Sequence, residues 1–331
     1  MKCPDLTDLP SPPPGKTGWP WTESAPAVPK VRSNGSAWPR ISVITPSFNQ
    51  GIYIEETIRS VLLQGYPEIE YIIIDGGSTD KTLEIIQKYA SWIKHWESKK
   101  DKGQANAINK GLAHCTGKFF NFINSDDYFA AGTLALVAEK LETCDLLIGK
   151  CINFSDDGTQ EIWESGQMDF RALIRQQGAF HQPATWLRLD YLCKAGGFDD
   201  LYQYCFDWDL IIRYLAMYPR VRKCEEVLAY FRLHATSKTV SQQPGFQRDI
   251  ASVLLKLLRQ PEIPQLHAPC DHTLRRAVFY SHLRRLEESA SESKFKRACK
   301  AIALSFSDPI VRLAPTGGLV GFMRRLAKGK L

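Results

Sequence analysis

Hydrophobic residues in the first half of the chain fall into two alternating kinds of pattern. Short, mostly β-branched runs at 41–45 and 71–75 predict buried strands. Between them, Ile54, Ile58 and Val61 recur at helical spacing and predict an amphipathic helix. The alternation continues with strands at 119–123 and 145–149 and with helices around 83–89, 105–112 and 134–141. Strands that alternate with helices predict an α/β fold built on a single, mainly parallel sheet with helices on both faces.

Polar residues follow three of the predicted strands at the point where each strand ends. These polar segments are 45–49, 75–80 and 124–127, and we expect Asp80 to cap the next helix. Ligands of open α/β sheets bind outside the carboxyl ends of the strands. The three segments are therefore predicted to converge on one crevice.

The two ends of the chain differ from this body. Nine of the 19 prolines lie within 1–39, which predicts an irregular, Pro-rich N-terminal arm. Trp19, Trp21 and Trp38 indicate that parts of the arm pack against the body. The body is predicted at 40–240, in halves at about 40–150 and 151–240, with a helical, basic extension at 241–331. Beyond residue 150 the patterns predict strands near 161–163, 183–187 and 227–233 and helices at 169–177, 207–217, 246–259 and 272–290.

Composition excludes several classes of protein. Of 331 residues, 44% are hydrophobic and 24% are charged, which excludes a wholly disordered chain. No apolar run of about 18 residues occurs and the N-terminus has no apolar signal sequence, so we expect neither a transmembrane helix nor export. The net charge of +6 is too small for a dedicated nucleic-acid binder but suits an anionic ligand or membrane surface. Nine cysteines without a Cys-x-x-Cys pair predict reduced thiols and a cytoplasmic location.

Asn124, Ser125, Asp126 and Asp127 form a candidate metal site directly after a buried strand. Two adjacent carboxylates in that place repel each other and lose hydration, and a divalent cation would relieve both effects. Hard oxygen ligands favour Mg²⁺ or Mn²⁺. The alternative is that Asp126 or Asp127 caps the next helix, and the local sequence leaves both interpretations open.

Three further residues could contact a nucleotide. Asp75 ends an apolar strand, where a carboxylate can accept hydrogen bonds from a base or ribose, or else serve the turn Asp-Gly-Gly-Ser. Phe48 could stack on a base or pack within its own loop. Lys102 precedes a helix, where it could meet a phosphate or remain a solvated surface charge.

Two more candidates lie in the second half. Asp207 and Asp209 do not share a helix face, whereas Asp209 and Arg213 are spaced to form an ion pair. Asp207 is thus the better candidate for a catalytic base, with helix N-capping as the alternative. His234 follows an apolar stretch and could be an imidazole metal ligand or a structural histidine.

Together and in this order, these segments resemble the inverting glycosyltransferases of family 2, which have the GT-A fold and use nucleotide-diphosphate sugars. The resemblance covers about residues 38–234. It is carried by Ile-Thr-Pro-Ser-Phe-Asn-Gln at 44–50, Ile-Ile-Asp-Gly-Gly-Ser-Thr-Asp at 73–80, Asp-Lys-Gly-Gln at 101–104, Ala-Ile-Asn-Lys-Gly at 107–111, Asn-Ser-Asp-Asp at 124–127, Gly-Gly-Phe-Asp at 196–199, Phe-Asp-Trp-Asp-Leu at 206–210 and Phe-Arg-Leu-His at 231–234.

The resemblance implies how the donor is bound. Thr45, Phe48 and Asp75 would hold the base and ribose of the nucleotide sugar, with UDP as the nucleotide commonest in the family. Lys102 remains a secondary phosphate contact. The residues implied for Mn²⁺ or Mg²⁺ under the diphosphate are Asp126, Asp127 and His234. Asn124 departs from the Asp usual at the first place of this motif, so one carboxylate is missing there.

The resemblance also implies the reaction. Asp207 would deprotonate the hydroxyl of a glycan or lipid-linked acceptor, whose oxygen displaces the nucleoside diphosphate with inversion. Residues 40–150 would bind the donor and 151–240 the acceptor. One alternative is a sugar nucleotidyltransferase, but the Gly-rich, basic first loop of that class is absent. The other is an inactive or regulatory protein that binds nucleotide sugars or glycans, which would be expected to lack Asp126, Asp127 or Asp207.

The C-terminal segment suggests a peripheral membrane contact. Residues 294–331 carry nine Lys or Arg residues against Asp308. Within 317–326, Leu319, Phe322, Met323 and Leu326 form an apolar stripe on a basic helix, which could lie on an anionic inner membrane near a lipid-linked acceptor. The alternative is a terminal helix that packs its stripe on the catalytic domain.

Overall fold

The computed structural model describes residues 4–235, 237 and 243–274. Two compact units divide the chain after Asp249. The strands are β1 (Ile41–Ser47), β2 (Ile69–Asp75), β3 (His95–Ser98), β4 (Phe119–Phe122), β5 (Tyr128–Phe129), β6 (Leu146–Ser155), β7 (Gln160–Trp163), β8 (Thr185–Arg188) and β9 (Val221–Leu233). The helices are α1 (Ile54–Leu62), α2 (Thr82–Lys88), α3 (Gln104–Leu112), α4 (Thr133–Lys140), α5 (Phe170–Ile174), α6 (Leu189–Lys194), α7 (Phe206–Met217) and α8 (Gln243–Leu258).

The parallel half of the sheet agrees with the hydrophobic pattern. β1 lies between β2 and β4, and β3 pairs with the other edge of β2, all in parallel. β1 and β2 are buried along their whole length, and burial on both faces favours continuous apolar runs over alternation. β3 was not predicted, because its sequence His-Trp-Glu-Ser contains no apolar run.

The other half of the sheet is mixed. The strand order is β3-β2-β1-β4-β8-β6-β9-β5, with β7 paired to β6. β8 runs antiparallel to β4 and β6, and β5 runs antiparallel to β9, while β6 and β9 are parallel. β6 and β7 form a hairpin through Gly158, whose φ is 86°. The mainly parallel arrangement therefore holds for β1 to β4 and not for the second half. Within that half, β6 and β7 are antiparallel because a short hairpin cannot supply the crossover that parallel neighbours need.

The helices follow the apolar spacing, with one correction at a helix start. α2 begins at Thr82, so Asp80 is not its N-cap. The Asp80 carboxylate instead accepts hydrogen bonds from the backbone N of Gly51 at 2.8 Å and of Thr82 at 3.0 Å. Asp80 thus ties the loop after β1 to the loop after β2. In the second half α7 and α8 lie where helices were predicted, and α5 is shorter than expected.

The Pro-rich arm belongs to the first unit and packs against the rest of it, as was predicted from its tryptophans. Trp21 and Trp38 are buried. Arg59 of α1 is fully buried and donates hydrogen bonds to the carbonyl oxygens of Pro10, Pro20 and Trp21. One guanidinium therefore satisfies three carbonyl groups of an arm that forms neither helix nor strand in its described residues.

Within the described part of the chain, no helix combines the length and apolarity that a membrane span requires. Residues 267–274 are helical. The remainder of the helix predicted at 272–290, and the basic helix predicted at 317–326 with its membrane contact, lie outside the described residues.

Candidate active site

A cavity of about 580 Å³ opens at the carboxyl ends of β1, β2 and β4. Each of the three polar segments predicted to converge contributes residues to its lining, so that prediction is confirmed. The first turns of α3 and α7 and the end of β9 also contribute to the walls. Strands from both halves of the body therefore meet at this cavity.

One end of the cavity is built from an aromatic ring, a glycine and a carboxylate. Phe48 is 60% exposed at the cavity edge, so its ring is not packed within its own loop. A Cβ atom on Gly76 would lie 3.3 Å from Phe48 Cδ2 and 3.0 Å from Asp101 Oδ2. Gly76 thus keeps open a space bordered by an apolar face and by a hydrogen-bond acceptor.

Thr45 and Asp75 lie behind the cavity wall. The Thr45 hydroxyl is fully buried and shares a 3.0 Å hydrogen bond with the Tyr71 hydroxyl. The fully buried Asp75 carboxylate accepts hydrogen bonds from the backbone N of Ser78 at 2.8 Å and the Ser98 hydroxyl at 2.6 Å. Neither side chain belongs to the lining. Asp75 therefore stabilises the turn that follows β2, which was the alternative interpretation of this residue. Thr45 and Asp75 both form hydrogen bonds behind the cavity wall and do not face the cavity.

The lysine that reaches the cavity is not the one predicted. Lys102 is exposed and lies outside the lining, whereas Lys100 belongs to it. α3 begins at Gln104, and Gly103 before it has a φ of 119°, in the region that favours glycine. The lysine that lines the cavity is thus not the one nearer to the start of the helix.

Asp126 and His234 form a close pair at the cavity. Asp126 Oδ2 lies 2.9 Å from His234 Nε2, and the two side chains are 18% and 8% exposed. The Tyr53 ring packs against the imidazole at 5.1 Å between ring centres. The structure therefore brings together two of the three predicted metal ligands, although 108 residues separate them in sequence.

Asp127 is a correction to the predicted metal site. Its carboxylate is fully buried and accepts hydrogen bonds from the backbone N of Arg232 at 2.9 Å and from Asn124 Nδ2 at 3.1 Å. Burial, together with the neighbouring Asp126 charge, raises the pKa of Asp127 well above its ordinary value. α4 starts at Thr133, so the helix-capping alternative is also wrong. Asp127 joins the loop after β4 to β9 instead of facing the cavity.

Arg232 is a site residue that sequence reasoning missed. Its side chain is 9% exposed. The guanidinium donates to the carbonyl oxygen of Asp126 at 3.1 Å and pairs with Glu56 at 2.6 Å and Asp156 at 3.0 Å. It therefore holds the Asp126 loop against α1 and the β6–β7 hairpin. The sequence signal was present in Phe-Arg-Leu-His, but the partners could not be read from it.

Asp207 lies inside the first turn of α7 and lines the cavity. Cys205 occupies the N-cap position, so the capping alternative for Asp207 is wrong. The predicted ion pair between Asp209 and Arg213 is confirmed, with both side chains buried and 2.6 Å between the charged atoms. Asp207 is thus the carboxylate of this helix that faces the cavity.

Among the described residues, no group of three or more His, Cys, Asp or Glu side chains surrounds a common point. Asp126 and His234 offer one carboxylate and one imidazole. Such a pair fits a divalent cation that takes its remaining ligands from substrate phosphates and water, as metal ions in phosphate chemistry commonly do. The donor set fits a metal shared with a diphosphate and does not form a closed cage.

Comparison with known proteins gives the family. The profile of glycosyl transferase family 2 matches residues 42–203. A PGL/p-HBAD biosynthesis glycosyltransferase of Mycobacterium bovis is 32% identical over 186 residues, which cover 54% of this chain and 70% of that protein.

Two solved structures share the fold. S. aureus TarS 1-349 in complex with UDP-GlcNAc has a TM-score of 0.60 at 18% identity and matches over 88% of this chain and 91% of that one; the chain spans 55% of a longer TarS structure. The mannosyltransferase PcManGT from Pyrobaculum calidifontis, in complex with GDP-Man and Mn²⁺, has a TM-score of 0.58 at 19% identity. The match covers 93% of this chain and 90% of that one. These likenesses confirm the GT-A type of α/β fold. The profile match and the mycobacterial relative show that the chain belongs to glycosyltransferase family 2.

Proposed function

We propose that the chain transfers a sugar from a nucleotide-diphosphate sugar to a hydroxyl group of a glycan or lipid-linked acceptor, with inversion at the anomeric carbon. One observation carries the proposal: a single cavity holds the exposed ring of Phe48, the Asp126–His234 pair and the carboxylate of Asp207. These groups suit, in turn, a nucleobase, a metal-bound diphosphate and an acceptor hydroxyl.

The donor base stacks on Phe48, and Asp101 accepts hydrogen bonds from the base or the ribose. Every nucleobase has an aromatic face, so stacking alone does not select the nucleotide. UDP is the first nucleotide to test, and GDP is the second. The complexes of TarS with UDP-GlcNAc and of PcManGT with GDP-Man support a nucleotide-sugar donor of this general kind.

The diphosphate lies between Lys100 and the Asp126–His234 pair. Asp126 and His234 would hold Mn²⁺ or Mg²⁺ there, and the bound ion would offset the negative charge that develops on the leaving diphosphate. Arg232 keeps the loop of Asp126 in place through its bond to the Asp126 carbonyl. The Mn²⁺ in the PcManGT complex supports a divalent metal.

The reaction is one in-line displacement. The acceptor oxygen forms a bond to the anomeric carbon while the bond from that carbon to the diphosphate breaks. Asp207 takes the proton of the acceptor hydroxyl, and the nucleoside diphosphate leaves with the bonding electron pair. Because Asp209 is held by Arg213, Asp207 is the carboxylate of α7 assigned to this role.

A thermal-shift screen of UDP, GDP and dTDP sugars, with Mn²⁺, Mg²⁺ or EDTA, tests the proposal. A donor present at 100 times its Kd stabilises the folded protein by about 2.7 kcal/mol, and this shift should require the metal. Phe48→Ala should remove most of it. Ile52→Ala is the matched control, because Ile52 is 81% exposed in the same loop and outside the lining.

The proposal fails if no nucleotide sugar raises the melting temperature, or if Phe48→Ala keeps the full shift. Release of nucleoside diphosphate from the selected donor distinguishes the transferase from other functions. Binding without release would indicate an inactive binding protein, and formation of a nucleoside triphosphate from pyrophosphate would indicate a nucleotidyltransferase.

A further inference from the structure

A row of three aromatic rings leads away from the cavity. Phe231 lines the cavity, and its ring lies 4.8 Å from the ring of His181. His181 in turn contacts Trp163 edge-on at 4.4 Å. All three side chains are half-buried, so the row keeps a surface open to solvent.

Strand register places the outer members of the row on one face of the sheet. Asn153 of β6 is paired with Phe231 of β9, and Cys151 is paired with Trp163 of β7. Paired residues, and residues two apart in one strand, share a face. Phe231, Asn153 and Trp163 therefore point to the same side, where His181 packs across them.

The row is apolar and uncharged at neutral pH. Burial lowers the pKa of His181 to about 4, so its imidazole is neutral. Aromatic faces of this kind offer a large, rigid contact surface. A charged or strongly hydrated ligand would gain little here, whereas a ring with an apolar face and polar edges would be accommodated.

Two buried acceptor atoms border the row. Gln182 follows His181, and its amide N donates to Asn121 Oδ1 at 2.9 Å and to the Phe122 carbonyl at 2.6 Å. Its Oε1, like Asn153 Oδ1, has no hydrogen-bond partner within the described residues. A buried acceptor without a partner costs free energy until a ligand or water supplies a donor.

Gln182 also connects the row to the catalytic base. It lines the main cavity together with Asp207, and a small space of about 20 Å³ borders both residues. Phe231, at the inner end of the row, lines the same cavity as Gln182 and Asp207. A molecule that covers the Phe231 end of the row can therefore extend toward Asp207.

We propose that Phe231, His181 and Trp163 form a subsite for the acceptor, which stacks the apolar face of a pyranose ring, and that Gln182 accepts a hydrogen bond from an acceptor hydroxyl beside Asp207. The inference rests on the proposed transfer reaction and names its acceptor class, a glycan with a pyranose ring next to the reacting hydroxyl.

The test uses the full chain saturated with UDP and Mn²⁺, or with the nucleotide that the donor screen selects. Methyl pyranosides of glucose, galactose, mannose and N-acetylglucosamine serve as probes, and saturation-transfer NMR titrations give their affinities. The variants are Trp163→Ala, Trp163→Met, which keeps apolar volume without a ring, and Trp163→Phe, which keeps a ring. Ile162→Ala is the matched control, since Ile162 is 61% exposed and neighbours Trp163 on the opposite face.

We expect wild type, Trp163→Phe and Ile162→Ala to bind at least one probe, with about tenfold weaker binding in Trp163→Ala and Trp163→Met. All variants should keep the donor-induced thermal shift. Absence of binding to wild type, or equal binding to Trp163→Met, overturns the subsite while leaving the transferase proposal intact. Loss of the donor shift in wild type would instead overturn the transferase proposal itself.

Discussion

Glu70 provides a quantitative test of how the amino end of the sheet is held together. It follows the first residue of β2, at the end of the sheet opposite the cavity. Its buried carboxylate forms an ion pair with Lys94 and accepts hydrogen bonds from the Ser42 hydroxyl at 2.6 Å and the Thr116 hydroxyl at 2.7 Å. One side chain therefore links β1, β2 and the segments that lead into β3 and β4.

The pKa of Glu70 gives the magnitude. Burial by itself would raise the pKa, but the hydrogen bonds from Lys94, Ser42 and Thr116 outweigh it and lower the pKa from 4.5 to about 2. At roughly 1.36 kcal/mol per pH unit, this difference corresponds to about 3 kcal/mol of stability. Because the folded-state pKa is depressed, the contribution is complete above the unfolded value of 4.5 and is lost as the pH falls toward 2.

Glu70→Gln should therefore lower the free energy of unfolding by about 3 kcal/mol at pH 7. Urea denaturation followed by tryptophan fluorescence, at several values between pH 7 and pH 3, measures the difference from wild type, which should shrink as the pH falls below 4.5. Glu68→Gln is the control, since the Glu68 side chain is 45% exposed and its Arg40 pair is worth little. A difference that does not change with pH, or a variant as stable as wild type at pH 7, would refute this reasoning.

Three further substitutions test the cavity and the arm. Asp207→Asn should keep the donor-induced thermal shift while lowering turnover by about 100-fold or more. Asp190→Asn, at an exposed position of α6 outside the cavity lining, is the control, and normal turnover of Asp207→Asn would remove Asp207 from the mechanism. Asp126→Ala should abolish the part of donor stabilisation that requires Mn²⁺. If the variant shows the same thermal shift as wild type both with Mn²⁺ and with EDTA, the assigned metal site is contradicted. Arg59→Met should cost about 3 kcal/mol, because three arm carbonyls lose their donor, and should speed proteolysis of the arm; Arg40→Met, at a half-exposed position, should do neither.

The motifs in the sequence, taken together, identified several residues that line the cavity. Phe48, Asp126, Asp207 and His234 were all chosen from short motifs, and all four line the cavity. Each follows or begins a regular element, so the period of the apolar pattern places it at the end of a strand or the start of a helix. The carboxyl ends of parallel strands meet at one edge, which is why convergence could be predicted without knowing any contact.

The same reasoning could not decide which neighbouring side chain faces the cavity. Thr45, Asp75 and Asp127 belong to the right segments but form hydrogen bonds within the protein, while Lys100 and Asp101 line the cavity near Lys102, which does not. Neighbouring positions in a turn can point in opposite directions, one toward solvent and the next toward the interior. Which position points where depends on the turn geometry, and the turn geometry depends on how the surrounding residues pack.

The sequence by itself determined most of the elements of this protein, the parallel strands β1, β2 and β4 and the place of its cavity, because these follow from apolar periodicity and from polar residues at strand ends. The tertiary structure alone decided the mixed half of the sheet, the burial of Asp127, the anchoring of the Asp126 loop by Arg232 and the aromatic row beyond Phe231. Each of these depends on partners far apart in the chain, such as Asp127 and Arg232, which lie 105 positions apart. Local periodicity carries no information about such partners, since only the packing of whole strands and helices brings them together.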